Sequence, residues 1–201
     1  KAIPTIELKT VFRQAEKSLI VKNAHRINKG EDVIEGDKAK KDNCFTRRTD
    51  DLLGAVRSAF EAIPSRIGIP ASEIQVICCR RKEGGVNGDA LNSLLQDLQN
   101  KDGATVADKR FRVGDRVMQI RNNYDKGVYN GDIGHIKRKH SHGIVVLFDS
   151  EEVEYLFSEL GDLTLAYACT IHKAQGSEYK AVVIVLSEKD GPLLQRNLIY
   201  T

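Results

Sequence analysis

The sequence predicts an α/β fold that is interrupted by a small all-β segment, and three observations along the chain support this prediction. Helical patterns alternate with a short apolar strand over roughly the first hundred residues. From about Phe111 the chain changes to short apolar runs separated by turn residues, which is typical of an antiparallel meander or barrel. After Leu163, runs of the first kind return. An all-β block enclosed by α/β material indicates an inserted subdomain, whose two connections would join the parent sheet close together.

The composition is that of an ordinary globular protein, with 41% hydrophobic and 29% charged residues in a chain of 201. This length suits one large domain or a domain with an insert. The net charge of +3 is too small to indicate a nucleic-acid partner by itself. The sequence contains no run of about 18 apolar residues and no opening signal segment, so we expect a cytoplasmic protein with no membrane partner.

The cysteines do not form a metal-binding pattern. Cys78 and Cys79 lie in the apolar run "IQVICC", Cys44 and Cys169 are far from them in sequence, and no CxxC pair occurs. Buried free thiols are the expected interpretation, and we expect no metal site. A zinc site or a disulfide framework is the alternative.

The first predicted helix is "SLIVKNAHRINKGE", which keeps one apolar face. Ser18 suits its N-cap and Gly30 its C-terminal cap, while Arg26 and Lys29 complement the negative end of the helix dipole. The residues of the apolar face are Leu19, Ile20, Val21, Ala24 and Ile27.

A second helix is predicted to begin near Thr49 or Asp50 and to end at Pro64. "EIQVICC" follows and suits a strand covered on both faces, and "DALNSLLQDLQN" repeats leucines at helical spacing. The β segment contains "RVMQI", "GDIGHIKRK", "GIVVLF" and "VEYLF", separated by turns. "LTLAYA" and "AVVIVL" are predicted to be strands of the parent sheet, and the second returns into the core.

A polar segment, "TIHKAQGSE", connects these last two strands, and its part "TIHKAQG" is long enough for about two helical turns. In open α/β sheets ligands bind beyond the carboxyl ends of the strands, so this segment is displayed at a binding edge. It offers donors for phosphate, backbone amides near Gly176 and Ser177, and the carboxylate of Glu178, a combination that suits a nucleotide or a nucleic acid. The alternative is a polar loop with a capping serine and a surface glutamate.

The stretch "LAYACTIHKAQGSEYKAVVIVL" resembles motif V of superfamily 1 helicases, in the form found in the RecD-like branch that contains the exodeoxyribonuclease V alpha subunit. Three further stretches agree, in the family's order. "VFRQAEKSLIVKNAHRINKGE" resembles the motif IV region, and "QVICCRRKEGGVNGDALNSLLQ" resembles the segment of strand, turn and Leu-Asn helix. "GDRVMQIRNNYDKGVYNGDIGHI" resembles the opening of the family's inserted barrel.

The resemblance implies a RecA-like motor domain, called 2A, over residues 1–108 and 160–201, with an SH3-like insert, called 2B, over residues 109–159. It also implies the second half of an ATP-dependent helicase that moves 5′ to 3′ on single-stranded DNA. Its other partner would be the first RecA-like domain of the same parent, with subunits of a nuclease complex as further candidates in DNA repair or recombination.

The family's roles fall on particular residues of this chain. Arg13 matches the motif IV arginine that contacts the γ-phosphate of ATP, with Gln14 as its neighbour in the site. Glu178 matches a carboxylate near the ribose, with Gly176 and Ser177 giving a close backbone approach. The residues expected to contact single-stranded DNA are Thr170, His172, Lys173, Arg121, Asn122, Asn123 and Tyr124.

Each of these roles has an ordinary structural alternative. Arg13 could pair with a surface glutamate, and Glu178 and Lys173 could be solvated. His172 could pack between a strand and a helix, and Tyr124 could pack inside the barrel. Asn130-Gly131 is interpreted as turn chemistry, and the basic run "HIKRKHSHG" either contacts phosphates or forms a solvated face.

The chain departs from a complete helicase in two ways. It contains no Gly-x-x-x-x-Gly-Lys-Ser/Thr phosphate loop, so the ligands of the Mg²⁺ that accompanies ATP are expected in the first motor domain. It stops at "NLIYT", where family members continue into motif VI. We therefore expect these residues to fold without hydrolysing ATP or unwinding DNA. The alternatives are a non-catalytic nucleic-acid or protein-binding module and a relaxase-associated helicase of conjugation.

Overall fold

The computed structural model describes residues 18–36, 44–82, 86–106 and 110–201, which form two compact units. One unit contains the described residues up to Arg48 together with Gln195–Thr201, and the other is Thr49–Leu194. In chain order the helices are α1 (Leu19–Lys29), α2 (Leu52–Ile67), α3 (Gly88–Gln99), α4 (Ile171–Ala174) and α5 (Arg196–Tyr200). The strands are β1 (Ile74–Cys78), β2 (Arg116–Gln119), β3 (Ile133–Lys139), β4 (Gly143–Phe148), β5 (Glu151–Leu156), β6 (Leu163–Leu165), β7 (Ala168–Thr170) and β8 (Ala181–Val185).

Helix α1 has the predicted caps but not the predicted buried face. The hydroxyl of Ser18 accepts a hydrogen bond from the amide of Ile20, and Gly30 adopts the left-handed conformation with φ of 77°. The buried residue of α1 is Asn23, whereas Ile20 is exposed. The Asn23 amide exchanges two hydrogen bonds with the backbone of Ile34, of 2.8 and 2.7 Å, so a polar clip fixes the segment after the helix.

Helix α2 begins close to the expected position, since Asp51 caps it by accepting a hydrogen bond of 2.8 Å from the amide of Gly54. The prediction that Pro64 ends the helix was wrong, because α2 continues to Ile67. Proline removes one helical donor, but the buried side chains of Val56 and Phe60 keep the helix packed, so tertiary contacts outweigh this loss. The helix ends instead at Gly68, which adopts φ of 68°.

The three-stranded sheet is parallel, with order β7-β1-β8. All five residues of β1 are buried, as the prediction of a strand covered on both faces requires. Strand β8 lies at the edge of this described sheet, and Val182 and Ile184 are exposed on one of its faces. The expectation that "AVVIVL" returns into the core therefore holds for the face that carries Val183 and Val185, and not for the face that carries Val182 and Ile184.

The five-stranded sheet is antiparallel, with order β5-β4-β3-β2-β6, and we call residues 110–165, which contain it, the β module. The buried hydrophobic residues of this module form one cluster, which includes Phe111, Val117, Ile136, Ile144, Val146 and Tyr155. Strand β6 pairs with β2 in this sheet, so the prediction of one parallel strand over "LTLAYA" was wrong. The chain leaves the β module at Leu165 and enters the parallel sheet only at Ala168. The division at residues 109 and 159 stays a prediction.

The buried carboxylate of Asp115 fastens the β module to α3. It accepts hydrogen bonds from the side-chain amides of Gln96 and Asn100, of 2.6 and 2.7 Å, and from the backbone amide of Arg112, of 2.7 Å. The hydroxyl of Tyr167, just before β7, donates a fourth bond of 3.0 Å. Because Asp115 is fully buried, these four donors replace water around its charge.

The four cysteines, all within the described residues, form no disulfide, and three of them are buried, as expected from the sequence. Burial raises the pKa of Cys78 to about 12 and the pKa of Cys79 and Cys169 to about 11. Within the described residues, no group of three or more His, Cys, Asp or Glu side chains is placed to hold a metal ion. Among the same residues, no helix is both long enough and apolar enough to span a bilayer.

Candidate nucleic-acid interface

The motif V segment, residues 170–178, begins on a strand whose position is fixed by a buried amide. Asn92 of α3 donates to the carbonyl of Ala168 at 3.0 Å and accepts from its amide at 2.8 Å. Ala168 opens β7, which also pairs along β1. The end of β7, where the segment starts, is therefore held from a helix and from a neighbouring strand.

The helical part of the segment is one turn long, so the expectation of about two turns was wrong. Helix α4 ends at Ala174 because Gln175 has an extended ψ of 131° and Gly176 has φ of 84°. Few residues other than glycine adopt such a positive φ readily, which is the role predicted for Gly176. The amide of Ser177 closes the turn by donating to the carbonyl of Ala174 at 3.0 Å.

The side chains of this segment are mostly accessible to solvent. Thr170 is half-buried at the end of β7, and its hydroxyl does not cap α4. His172 and Lys173 are exposed on α4, so the alternative of a histidine packed between strand and helix does not hold. Gly176, Ser177 and Glu178 are exposed in the turn that follows.

Lys173 connects the motif V segment to the β module. Its ammonium group donates a short hydrogen bond to the side-chain carbonyl of Asn130. Asn130 belongs to residues 120–132, which connect β2 to β3 and which we call the aromatic loop. Residues that are 43 positions apart in sequence thus share one surface.

The aromatic loop presents two exposed tyrosines, Tyr124 and Tyr129. Their rings meet edge to face with centroids 6.0 Å apart, and 76% of Tyr124 is accessible to solvent. The alternative that Tyr124 packs inside the β module is therefore wrong. Asn122 supports the loop, since its side-chain oxygen accepts from the amide of Asn130 at 2.9 Å and its nitrogen lies 3.4 Å from the Tyr124 hydroxyl.

Arg121 and Asn123 occupy the same loop but differ in what their side chains contact. The Asn123 oxygen accepts from the amide of Lys126 at 3.1 Å, and its backbone pairs with Val128, so this side chain stabilises the turn. The Arg121 guanidinium is largely exposed and lies 3.6 Å from a carboxylate oxygen of Asp162. Arg121 therefore keeps most of its donors available for a ligand.

Sequence reasoning did not identify Asn130 and Tyr129 as members of this surface. Asn130 precedes glycine, and a two-residue turn explained the pair adequately. Gly131 does adopt a positive φ, of 109°, so the turn is real, but the Asn130 side chain also contacts Lys173. In the sequence, only the mixture of polar and aromatic residues over 121–130 indicated that these two residues could belong to a binding surface.

The basic side chains of the run "HIKRKHSHG", which lie at the end of β3 and in the turn that follows, are exposed, and part of their charge is already paired. Arg138 forms an ion pair of 2.7 Å with Glu152, and the Lys139 ammonium donates to the carbonyl of Thr105 at 3.0 Å. These contacts favour the solvated-face interpretation over phosphate binding.

Arg13 and Gln14 lie outside the described residues. Their contact with ATP, and the convergence of Arg13 and Glu178 on one nucleotide, stay predictions. The roles of Thr170, His172 and the other proposed DNA contacts also stay predictions, although the structure brings Lys173, Asn122 and Tyr124 onto one surface.

Two protein-family models match the chain in separate regions. The model described as "ATP-dependent RecD-like DNA helicase SH3 domain" matches residues 91–148, and the model described as "UvrD-like helicase C-terminal domain" matches residues 165–201. The first includes most of the β module and the aromatic loop, and the second includes the motif V segment.

Curated relatives resemble the chain at the level of sequence. The ATP-dependent RecD2 DNA helicase of Deinococcus radiodurans is 39% identical over 203 aligned residues, which cover 100% of this chain and 27% of that protein. The RecBCD enzyme subunit RecD of Buchnera aphidicola is 27% identical over 62% of this chain and 22% of its own length. The chain thus spans about a quarter of the length of these relatives.

Solved structures resemble the chain in fold. Bacteroides Pif1 bound to single-stranded DNA superposes with a TM-score of 0.59 at 18% identity, over 97% of this chain and 48% of that one. Pif1 helicase from Candida albicans superposes with a TM-score of 0.54 at 17% identity, over 96% of this chain and 52% of that one. At these identities the likeness concerns the fold, which is a RecA-like parallel sheet with helices and an SH3-like β module. The chain therefore belongs to the RecD-like family of superfamily 1 DNA helicases, and it carries that family's SH3 domain and C-terminal motor region.

Proposed function

We propose that this chain is the second motor domain of an ATP-dependent helicase that translocates 5′ to 3′ on single-stranded DNA. The observation that supports this best is the contact between Lys173 and Asn130, which joins the motif V segment to the aromatic loop. A motor that binds single-stranded DNA needs cationic side chains that contact phosphates and aromatic side chains on which bases stack, and this surface carries both.

The proposed interface divides the work between two kinds of side chain. Lys173, His172 and Arg121 are exposed donors that suit backbone phosphates, and such contacts give affinity without sequence choice. Tyr124 is the exposed ring on which a base would stack, with Tyr129 fixing its orientation edge-on. Asn122 and Asn130 hold the loop in position, and Thr170 lies at the start of the segment.

The nucleotide part of the proposal depends on residues beyond this surface. Arg13 and Gln14 would contact the γ-phosphate, while Gly176, Ser177 and Glu178 would approach the ribose. The first RecA-like domain would supply the phosphate loop and the Mg²⁺ ligands. Because the 201 residues contain no phosphate loop, we propose that they do not hydrolyse ATP alone. A cytoplasmic location, and work in repair or recombination with or without nuclease subunits, belong to the same proposal.

The DNA-binding part is tested by fluorescence anisotropy of a labelled oligo(dT) at low ionic strength. Tyr124→Ala is expected to weaken binding by about 1–3 kcal/mol, the usual cost of losing one stacked base, whereas Tyr124→Phe keeps the ring and stays near the wild-type affinity. Lys173→Ala is expected to weaken binding and lower its salt dependence. Lys101→Ala, which removes an exposed charge from another loop, is the control. Wild-type affinity in both Tyr124→Ala and Lys173→Ala would contradict the proposed surface.

A separate measurement distinguishes a motor from a non-catalytic binding module. In a protein that joins these residues to a first RecA-like domain, Glu178→Ala is expected to reduce DNA-stimulated ATP hydrolysis and to leave oligo(dT) affinity unchanged. The binding-module interpretation gains support if Glu178→Ala and Arg13→Ala both leave hydrolysis intact.

A further inference from the structure

Lys126 lies in a tight turn of the aromatic loop, two residues after Tyr124. Two backbone hydrogen bonds between Asn123 and Val128, of 2.8 and 3.1 Å, close this turn. Val128 is buried in the hydrophobic cluster of the β module, and the Asn123 side chain accepts from the Lys126 amide at 3.1 Å. Because these bonds join both sides of the turn, whatever holds Lys126 also holds the backbone that carries Tyr124.

The ammonium group of Lys126 is bound by β5 and by the residues that follow it. It donates hydrogen bonds of 2.6 Å to a carboxylate oxygen of Glu159 and of 2.7 Å to the backbone carbonyl of Glu154. It also lies 4.5 Å from the centre of the Tyr155 ring, at cation–π distance. We call the contacts among Lys126, Glu154, Tyr155 and Glu159 the lysine clamp. The Lys126 and Glu159 side chains are only 22% and 33% exposed, so water and salt screen this pair less than an open surface pair.

Glu159 is a fixed anchor for the clamp. The carboxylate oxygen that accepts from Lys126 also accepts from the backbone amide of Leu156, at 2.8 Å. The hydrogen bonds from Lys126 and from Leu156 lower the pKa of Glu159 from its ordinary value, so this carboxylate is ionised at neutral pH.

Tyr155 also supports the start of the aromatic loop. Its ring is buried, and its hydroxyl donates a hydrogen bond of 2.9 Å to the side-chain oxygen of Gln119. The Gln119 side-chain nitrogen donates in turn to the carbonyl of Arg121 at 2.8 Å. Strand β5 therefore supports the aromatic loop at two points, at its start through Gln119 and at its turn through Lys126.

We propose that Lys126 is a positioning residue, which raises the affinity for single-stranded DNA by holding the turn that presents Tyr124 to a base. The Lys126 ammonium contacts β5 and Glu159, whereas 76% of Tyr124 is accessible to solvent. A large exposed ring on a fixed turn binds without the entropic cost of ordering the loop. This inference rests on the proposed function, and it assigns to the lysine clamp the task of preparing the stacking residue.

The substitution Glu159→Gln distinguishes positioning from direct phosphate binding by the sign of its effect. It removes a negative charge and breaks the ion pair of the clamp. A Lys126 that binds phosphate would be released by this change, and oligo(dT) would bind more tightly. Positioning predicts binding weaker by about three- to ten-fold, the range for ordering one or two mobile side chains. Glu151→Gln removes the same charge at the exposed first residue of β5 and is the matched control, with wild-type affinity expected.

The salt dependence of binding by Lys126→Met gives a second readout, measured by fluorescence anisotropy with the whole chain. Its affinity is expected to fall about three- to ten-fold, while the slope of log K against log salt stays at the wild-type value. Loss of a phosphate contact would instead reduce that slope by about 0.7. Lys126→Arg keeps a cation that can donate to Glu159, so it is expected to restore the affinity. A reduced slope, or wild-type affinity of Lys126→Met, would overturn the inference.

The double variant Lys126→Met/Tyr124→Ala tests whether the lysine acts through the tyrosine. It is expected to bind no more weakly than Tyr124→Ala alone, because a positioning residue has no effect once the ring it positions is gone. Losses that add would show that Lys126 acts by another route. Circular dichroism verifies that each variant is folded, and if Lys126→Met does not fold, Glu159→Gln takes its place in the double variant.

The wild-type chain and the variants of the proposed surface show which proposal has failed. Absence of oligo(dT) binding by the wild type would overturn the proposed function and this inference together. Binding that Tyr124→Ala weakens, and that Glu159→Gln and Lys126→Met both leave unaltered, would overturn the inference alone.

Discussion

Asp115 shows how much of this structure depends on one polar side chain. Its two carboxylate oxygens accept bonds from α3, from the start of the β module and from Tyr167, and the side chain has no exposed surface. The sequence "VGDRVMQ" gives no sign of this, because an aspartate after glycine usually belongs to an exposed turn. Burial and the surrounding donors, both tertiary properties, give Asp115 its role.

We therefore expect Asp115→Ala to lower the free energy of unfolding by about 3–5 kcal/mol, since several buried donors lose their acceptor. Urea denaturation followed by circular dichroism measures this change. Asp125→Ala, at an exposed position of the aromatic loop, is the control and is expected to stay within about 0.5 kcal/mol of the wild type. Equal stability of the two variants would show that the buried network does not form.

The asparagines of the aromatic loop show what residue type alone can predict about a site. Asn122, Asn123 and Asn130 carry the same amide, but Asn123 stabilises its own turn while Asn130 accepts a bond from Lys173. The sequence indicated that this loop was polar, aromatic and rich in donors. The three-dimensional path of the loop decided which amide faces the motif V segment.

At the scale of elements, ends and pairings were harder to predict than the elements themselves. Helical periodicity located α2 and α3, which bury side chains at that spacing. The caps Ser18 and Gly30 delimited α1, and a continuous apolar run located β1, whose five residues are all buried. Pro64 did not end α2, and β6 joined the antiparallel sheet, because packing and hydrogen-bond partners act over distances that a local pattern does not report. The short strand "LTL" is apolar in either sheet, so its sequence could not choose between them.

Gly143 determines whether β4 and β5 can pair closely. A Cβ atom at this position would lie 1.9 Å from the carbonyl oxygen of Tyr155, on the neighbouring strand. We expect Gly143→Ala to lower the free energy of unfolding by about 2–3 kcal/mol, because the strands must move apart. Gly161→Ala is the control, since nothing lies within 4 Å of the added atom. Chemical denaturation measures the stability of both variants. Equal stabilities would show that β4 and β5 do not approach each other closely at Gly143.

At the scale of the whole molecule, the four cysteines report on whether the native structure is formed. Cys78, Cys79 and Cys169 are buried, and burial raises the pKa of each to about 11 or 12, whereas Cys44 is only half-buried. The reactive species is the thiolate, and a thiol whose pKa is raised is almost fully protonated at pH 8.

We expect iodoacetamide at pH 8 to label Cys44 first and the three buried cysteines only after denaturant is added. Mass spectrometry of the digested protein locates the label, and the fully denatured protein, in which all four cysteines react, is the control. Rapid native labelling of Cys78 or Cys169 would mean that the parallel sheet is not packed as described.

The sequence by itself determined the class of fold, most helices and strands, the unpaired state of the buried thiols and the family. Periodicity, caps and short motifs are local patterns, so they can be recognised without knowing which distant residues they contact. Only the tertiary structure decided that Lys173 meets Asn130 and that Asp115 is a buried anchor. These properties depend on which distant residues become neighbours, and on how much water is removed between them.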